Sequence, residues 1–336
     1  MIEVDGSYGE GGGQIVRTAV ALSSVTGSPV RIRNIRKGRT RPGLTHQHVR
    51  AIEALALLTG ARKSGVLVGS DEITFEPNFI RGGNYRIDIG TAGSITLLLQ
   101  CLLPAIVYAS EKVLLEVRGG TDVAWSPTID YLRHVALLAF SRFGVRCNLT
   151  CKRRGYYPRG GGSATVEVHP GKLIPAHLKA EKLSHVRGIT HCSNLPEHVA
   201  DRQGKSACQV LEDAGYRVEM DMEVLKCPST GSGITLWAGY KGGSALGKRG
   251  VSALVVGSTA ANELLFELES DASVDVHLGD QLIPYLVLAG GSFTVREITR
   301  HARTNIWTAR HFVDVDVSVT ENGIFKVEVD RGQQND

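Results

Sequence analysis

Towards its C-terminal end the chain carries Arg300-His301-Ala302-Arg303-Thr304-Asn305-Ile306, a histidine set between two arginines. The run Gly291-Ser292-Phe293-Thr294-Val295 before it is strand-like, and helical spacing returns from Thr304 through Ile306 and Phe312. His301 is therefore expected at or just before a helix start. An imidazole is a good nucleophile when neutral and a good leaving group when protonated, which suits it to splitting one group transfer into two steps. A histidine at such a junction could equally be a solvated loop residue or cap a backbone group. The two readings differ in whether the rest of the chain brings partners to it.

Several upstream stretches could be those partners. Glu10-Gly11-Gly12-Gly13-Gln14-Ile15-Val16-Arg17 lacks both the spacing of a P-loop and its Gly-Lys-Ser/Thr ending, which argues against that fold. Its glycines permit close backbone approach to a ligand, Glu10 could hold a divalent cation, and Arg17 could reach an oxyanion. The plainer alternative is a flexible turn with Arg17 on a solvated face. In Arg36-Lys37-Gly38-Arg39-Thr40-Arg41-Pro42-Gly43 the cations are held between Gly and Pro, which suits bidentate contacts to phosphate better than it suits a plain solvated charge run. Gln47, just inside the next helix, is a possible companion ligand. Arg154-Gly155-Tyr156-Tyr157-Pro158-Arg159-Gly160-Gly161-Gly162 reads as a tight hairpin with two basic tips, or as a structural hairpin only. Asp280-Gln281 either caps a helix or contacts a ribose.

These stretches have to be positioned by a recurring unit. The first reads strand Ile2–Asp5, glycine turn, helix with Ile15, Val16, Ala19, Val20 and Leu22 on one face, strand Val30–Arg33, helix His46–Leu58, and strands near Val66–Val68 and Glu72–Glu76. The order returns from Tyr85–Ile89 through Gly90–Gly93, a helix from Ser94, strand Val113–Val117, helix Thr128–Phe143 and two further strands. It returns again from a strand expected at Val274–Val276, with Gly279-Asp280-Gln281 opening a helix, to strands Asp316–Val319 and Ile324–Val329. The expected fold is α/β (α+β), three repeats of a βαβαββ unit in pseudo-threefold arrangement. Residues 1–181 and 271–336 would form that body, and 182–270 a smaller inserted α/β domain. A glycine turn before a helix presents backbone N–H groups to anions, so converging repeats would gather phosphate-binding edges in one crevice.

Composition sets the outer limits. The 336 residues, 42% hydrophobic and 21% charged, suffice for large buried cores, so a globular fold is expected. A net charge of +4 is mild, so any affinity for polyanions must come from clusters such as Arg31 to Arg41. Six scattered cysteines lack zinc-ligand spacing and read as reduced thiols. With no signal pattern and no long apolar run, a soluble cytoplasmic protein without membrane contact is expected.

Together, Glu10–Arg17, Arg36-Lys-Gly-Arg39-x-x-Pro-Gly43, Gly90-Thr-Ala-Gly-Ser94 with Gln100, Gly119-Gly-Thr-Asp122, Arg154–Pro158 with Gly160–Gly162, Asp280-Gln281 and His301-x-x-Thr-Asn-Ile306 resemble the RNA 3′-terminal phosphate cyclase family. The resemblance runs from Gly6 to about Phe312 in motif order and spacing. It implies three two-helix, four-stranded repeats plus one insert, and ATP-dependent conversion of an RNA 3′-phosphate into a 2′,3′-cyclic phosphodiester. By resemblance His301 is the nucleophile that takes AMP from ATP, and Glu10 holds Mg²⁺ or Mn²⁺. Arg17, Arg36, Arg39 and Gln47 hold phosphates of ATP or of the RNA end. Gln100, Pro127, Asp280 and Gln281 line the nucleotide pocket, as does His277, which stands where some members place an adenine-stacking tyrosine. Two rivals follow from the same residues. A non-catalytic relative that binds RNA in ribosomal RNA processing would lack the histidine, and a carboxyvinyl transferase would need six units in two equal domains.

Overall fold

The computed structural model describes Met1–Arg331. In the first unit β1 (Ile2–Asp5), α1 (Gly13–Thr26), β2 (Val30–Arg33), α2 (His46–Thr59), β3 (Arg62–Ser64) and β4 (Ile73–Glu76) form a sheet ordered β1-β2-β4-β3 with helices packed on it. The strands alternate, with Val30, Ile32, Ile73 and Phe75 pointing into the core. Edge strand β3 lies at Arg62–Ser64 and not at Val66–Val68. Its residues are all exposed, so no apolar pattern marks it, and Gly65 and Gly69, at φ of 70° and 87°, bracket the apolar residues as a turn.

The second unit repeats the order with β5 (Gly83–Asp88), α3 (Ile95–Ile106), β6 (Val113–Gly119), β7 (Arg146–Arg153) and β8 (Gly162–His169), in a sheet β5-β6-β8-β7. Its second helix is continuous but not uniform: α4 (Ile129–Tyr131), a π-helical turn (Leu132–Ala136) and α5 (Leu137–Arg142).

The third unit departs from expectation. Val274–Val276 is not a strand, because Asp275 accepts the Leu278 N–H at 2.7 Å and so caps α8 (Val276–Ala289). Its first strand is the two-residue β9 (Ala176–His177), parallel to β14 (Gly291–Val295). A Cβ at Gly291 would meet the Ala176 carbonyl oxygen at 2.0 Å, so only glycine lets the two strands come together. With α9 (Arg300–Ala309), β15 (Val317–Asn322) and β16 (Ile324–Val329), the sheet order is β9-β14-β16-β15, matching the other two units. The additional segment therefore enters between the first strand and the first helix of unit three.

That segment comprises β10 (His185–Ser193), α6 (His198–Asp213), β11 (Arg217–Leu225), β12 (Gly231–Ala238), β13 (Lys241–Leu246) and α7 (Ala253–Leu268), in a sheet β11-β10-β12-β13. Val186, Leu211, Leu236, Val256 and Leu264 belong to a core cluster separate from that of the three units. Strand β13 reads as loop in sequence, yet its glycines allow it to lie against α7, where a Cβ at Gly243 would meet the Ala260 carbonyl at 2.4 Å. In the body, α1 packs on α2, α3 and α9, and α8 on α9, so the helices of the three units meet at the centre. No helix among the described residues is long and apolar enough to cross a membrane.

Candidate functional site

Where the helices meet there is a cavity of about 880 Å³, within the range of small-molecule sites. His301 opens onto it from the first turn of α9, whose N-cap Thr299 accepts the Ala302 N–H at 3.0 Å. The helix is fastened two ways. Gln14 Nε2 donates to the His301 carbonyl at 2.8 Å, and one turn along both helices Thr18 Oγ1 donates to Asn305 Oδ1 at 2.7 Å. Asn305 Nδ2 in turn donates to the Asp280 carbonyl at 2.9 Å, which ties α8 to the same pair.

His301 Nδ1 lies 3.2 Å from Glu10 Oε2, and that oxygen is 3.7 Å from Arg39 Nη2. With the Nδ1 proton directed at the carboxylate, Nε2 keeps its lone pair. Burial pushes the His301 pKa below the ordinary histidine value; Glu10 opposes this, while Arg17, Arg39 and His277 reinforce it. The imidazole is thus biased towards the neutral, nucleophilic form.

Part of the cavity's lining is cationic. Arg17, Arg36 and Arg39 all line it. Arg36 spends Nη1 on the carbonyls of Arg41 and Gly43, at 2.7 and 2.9 Å, and so also clamps its own loop. Arg17 makes no salt bridge among the described residues. Helix α1 adds to this charge: its N-cap is Gly12, with no side chain to cap the free N–H groups, whereas α3, α8 and α9 are capped by Ser94, Asp275 and Thr299. Free N–H groups at a helix N-terminus beside arginines are chemically suited to an anion.

The lining also includes Gln100, Trp125, Pro127, Tyr131, Ser244, Glu263, His277, Asp280 and Gln281. Contact with Glu263, 3.6 Å away, raises His277 to about 9 despite its partial burial. Burial raises Asp280 to about 7, against the pull of the Thr299 hydroxyl that donates to its Oδ1.

Every expected site residue except Gln47 faces the cavity. Gln47 sits against the Gly93–Ser94 turn, where its Oε1 accepts the Ser94 N–H at 3.4 Å and its Nε2 is buried without a partner. Asp280 and Gln281 do not open a helix; they lie within α8, whose cap is Asp275. Arg154 is not a basic hairpin tip, because its guanidinium is buried against Asp122, Asp130 and Glu223 at 3.2, 2.7 and 2.7 Å.

Sequence reasoning missed Trp125, Glu263 and His48. Trp125 is 99% exposed at the cavity with φ of 65°, a strained conformation for a bulky residue. Glu263 comes from α7 of the additional segment, and nothing local marks it. His48 could have been found from the capping-box pattern at Thr45: Thr45 N donates to His48 Nδ1 at 3.1 Å. Burial, with Arg17 and Arg36, pushes His48 down to about 3, so it is neutral.

Of the carboxylates that line the cavity, Asp280 accepts from the Thr299 hydroxyl and Glu263 faces His277, which leaves Glu10 for a cation beside His301, its Oε2 already meeting His301 and Arg39. That suits Mg²⁺ or Mn²⁺ held jointly with ligand phosphates, not an all-protein cage. Among the described residues the clustered metal-type ligands are Asp122, Asp130 and His191, buried away from this cavity and on the Arg154 guanidinium.

The family model described as RNA 3′-terminal phosphate cyclase matches residues 8–319. A protein of Methanosarcina mazei named RNA 3′-terminal phosphate cyclase is 54% identical, covering 98% of this chain and 100% of its own length. Proteins of the same name from Archaeoglobus fulgidus and Pyrococcus furiosus are 50% and 48% identical, over 96% and 97% of this chain and 99% and 98% of theirs.

Proposed function

The chain belongs to the RNA 3′-terminal phosphate cyclase family, and from that premise we propose that it converts an RNA 3′-terminal phosphate into a 2′,3′-cyclic phosphodiester at the expense of ATP, through a histidyl-AMP intermediate. His301 Nε2 attacks the α-phosphorus, the bond to the β-phosphate oxygen breaks, and pyrophosphate leaves. An oxygen of the RNA 3′-phosphate then attacks the same phosphorus, the P–N bond breaks, and RNA-(3′)pp(5′)A forms. The neighbouring 2′-hydroxyl attacks the 3′-phosphorus and expels AMP.

The observation that carries this reading is the Glu10–His301 contact at 3.2 Å, which holds a neutral imidazole in one orientation beside a cationic anion site. Arg17, Arg39 and the free N–H groups of α1 would take the phosphates, and Arg36 would do so while clamping its loop. Gln100, Pro127, His277, Asp280 and Gln281 would line the nucleoside end. Glu10 would hold Mg²⁺ or Mn²⁺, which supplies charge neutralisation on the reacting phosphates when bound. Six free cysteines support a place in the reducing cytoplasm.

The test is incubation with α-phosphate-labelled ATP and Mg²⁺ without RNA, then denaturing electrophoresis and a mild acid wash. Acid-labile label on the wild type and none on a folded His301→Ala variant is the expected result. A folded, ATP-binding wild type that takes no label would instead favour a non-catalytic RNA-binding factor.

A further inference from the structure

An aromatic stack stands on the outer side of the loop that carries Glu10. Tyr8 and Trp307 are parallel, with ring centroids 3.9 Å apart and planes 8° apart. Trp307 is half-buried against the main core and is closed from a second side by the edge of His311, centroids 4.5 Å apart. Tyr8 has no such cover. It is 43% exposed, and its hydroxyl makes no hydrogen bond among the described residues. The pair therefore presents one free π face to solvent.

That face is in rigid register with the reacting centre. Trp307 and His301 share α9, six positions apart, which at 1.5 Å per residue is about 9 Å along the axis. Tyr8 shares the turn that contains Glu10, and this turn is closed by Gly11 N donating to the Tyr8 carbonyl at 2.9 Å. Between them Gly9, at φ 57°, rests on α9, where an added Cβ would meet Thr304 Oγ1 at 2.7 Å. The same loop is bound to the basic turn, since Arg36 N donates to the Gly6 carbonyl at 3.4 Å, and the exposed Lys37, Arg39 and Arg41 stand on that turn.

An exposed aromatic face beside cations, one or two helical turns from a phosphate-handling histidine, is what a single-stranded nucleic acid end needs. We propose that Tyr8, backed by Trp307, is a stacking platform for one nucleobase at or next to the RNA 3′ end, and positions that end over His301. The inference rests on the cyclase reading above. Stacking accepts any base, so the platform gives affinity for a single-stranded terminus without sequence readout.

Tyr8→Ala and Tyr8→Phe test it, with 3′-phosphorylated oligoribonucleotides that are intact or abasic at each of the last two positions. Tyr8→Ala is expected to raise the dissociation constant for the intact oligonucleotide roughly 5- to 100-fold, the worth of one base–aromatic stack. Tyr8→Phe should restore it. One of the abasic oligonucleotides should lose about the same factor on the wild type and nothing further on Tyr8→Ala. Labelling of His301 without RNA, measured on the same preparations, should be equal in all three proteins. Wild-type RNA affinity in Tyr8→Ala, or an abasic penalty that persists undiminished in it, would overturn the platform. A wild type that neither self-labels nor prefers phosphate-ended RNA would overturn the cyclase reading and the platform with it.

Discussion

At the scale of single residues the chemistry depends on protonation state. In the proposed transfer His301 must be neutral to attack, and burial with Arg17 and Arg39 lowers its pKa, so self-labelling should hold its rate to a pH below 6.5 before it falls. Pre-steady-state labelling against pH checks this, and an acid limb above 6.5 would contradict it. His48 acts on stability instead. Its pKa of about 3 lies below the 6.5 of the unfolded chain, so its contribution is full above pH 6.5 and is lost as the pH falls towards 3. Thermal melts of His48→Gln should show a shallower loss over that window than the wild type.

At the scale of elements, the placement of His301 rests on the fastening of α9. Asn305→Ala would leave the Thr18 hydroxyl and the Asp280 carbonyl without partners and should cost about 1–3 kcal/mol. It should also slow self-labelling more than it weakens nucleotide binding, because it frees the helix that aims the imidazole while leaving the arginines in place. Denaturant titration and labelling kinetics on one preparation separate the two effects. The helix proposed to take anions is the one whose cap is a glycine, and that difference was legible in Gly11–Gly13. The capping of α8 by Asp275 was not, because Ser273-Val274-Asp275-Val276 has a strand composition, and the cap decides the matter only once the chain arrives there from α7.

At the scale of the molecule, two cores are joined through buried charge. Arg154 and Asp122 of the body meet Glu223 and His191 of the additional segment, with Tyr156 Oη 2.7 Å from His191 Nδ1. Removing Arg154 would strand buried carboxylates, so Arg154→Ala should cost about 3–5 kcal/mol in a denaturant titration. If that loss uncouples the segment, Glu263 leaves His277 and nucleotide affinity falls as well. Net charge tests the extent of the RNA contact: at +4 overall, binding should need the terminal phosphate and show a shallow salt slope, whereas a steep one would mean a long RNA track.

The sequence by itself determined the repeat, because strand and helix periods and the glycine turns are local properties. It also determined the charged residues around the histidine, because Glu10, Arg17, Arg36, Arg39 and His301 sit in short motifs whose chemistry shows in their spacing. Tertiary structure decided what depends on distant chain. It placed β9 before the additional segment, since a two-residue strand has no pattern and exists only by pairing with β14. It turned Arg154 inwards, since only the folded chain brings together Asp122 and Asp130 of the body and Glu223 of the additional segment around it. It brought Glu263 of one helix to His277 of the next and Tyr8 of the first turn onto Trp307 of α9, contacts that no local pattern in the chain marks and that only its packing creates.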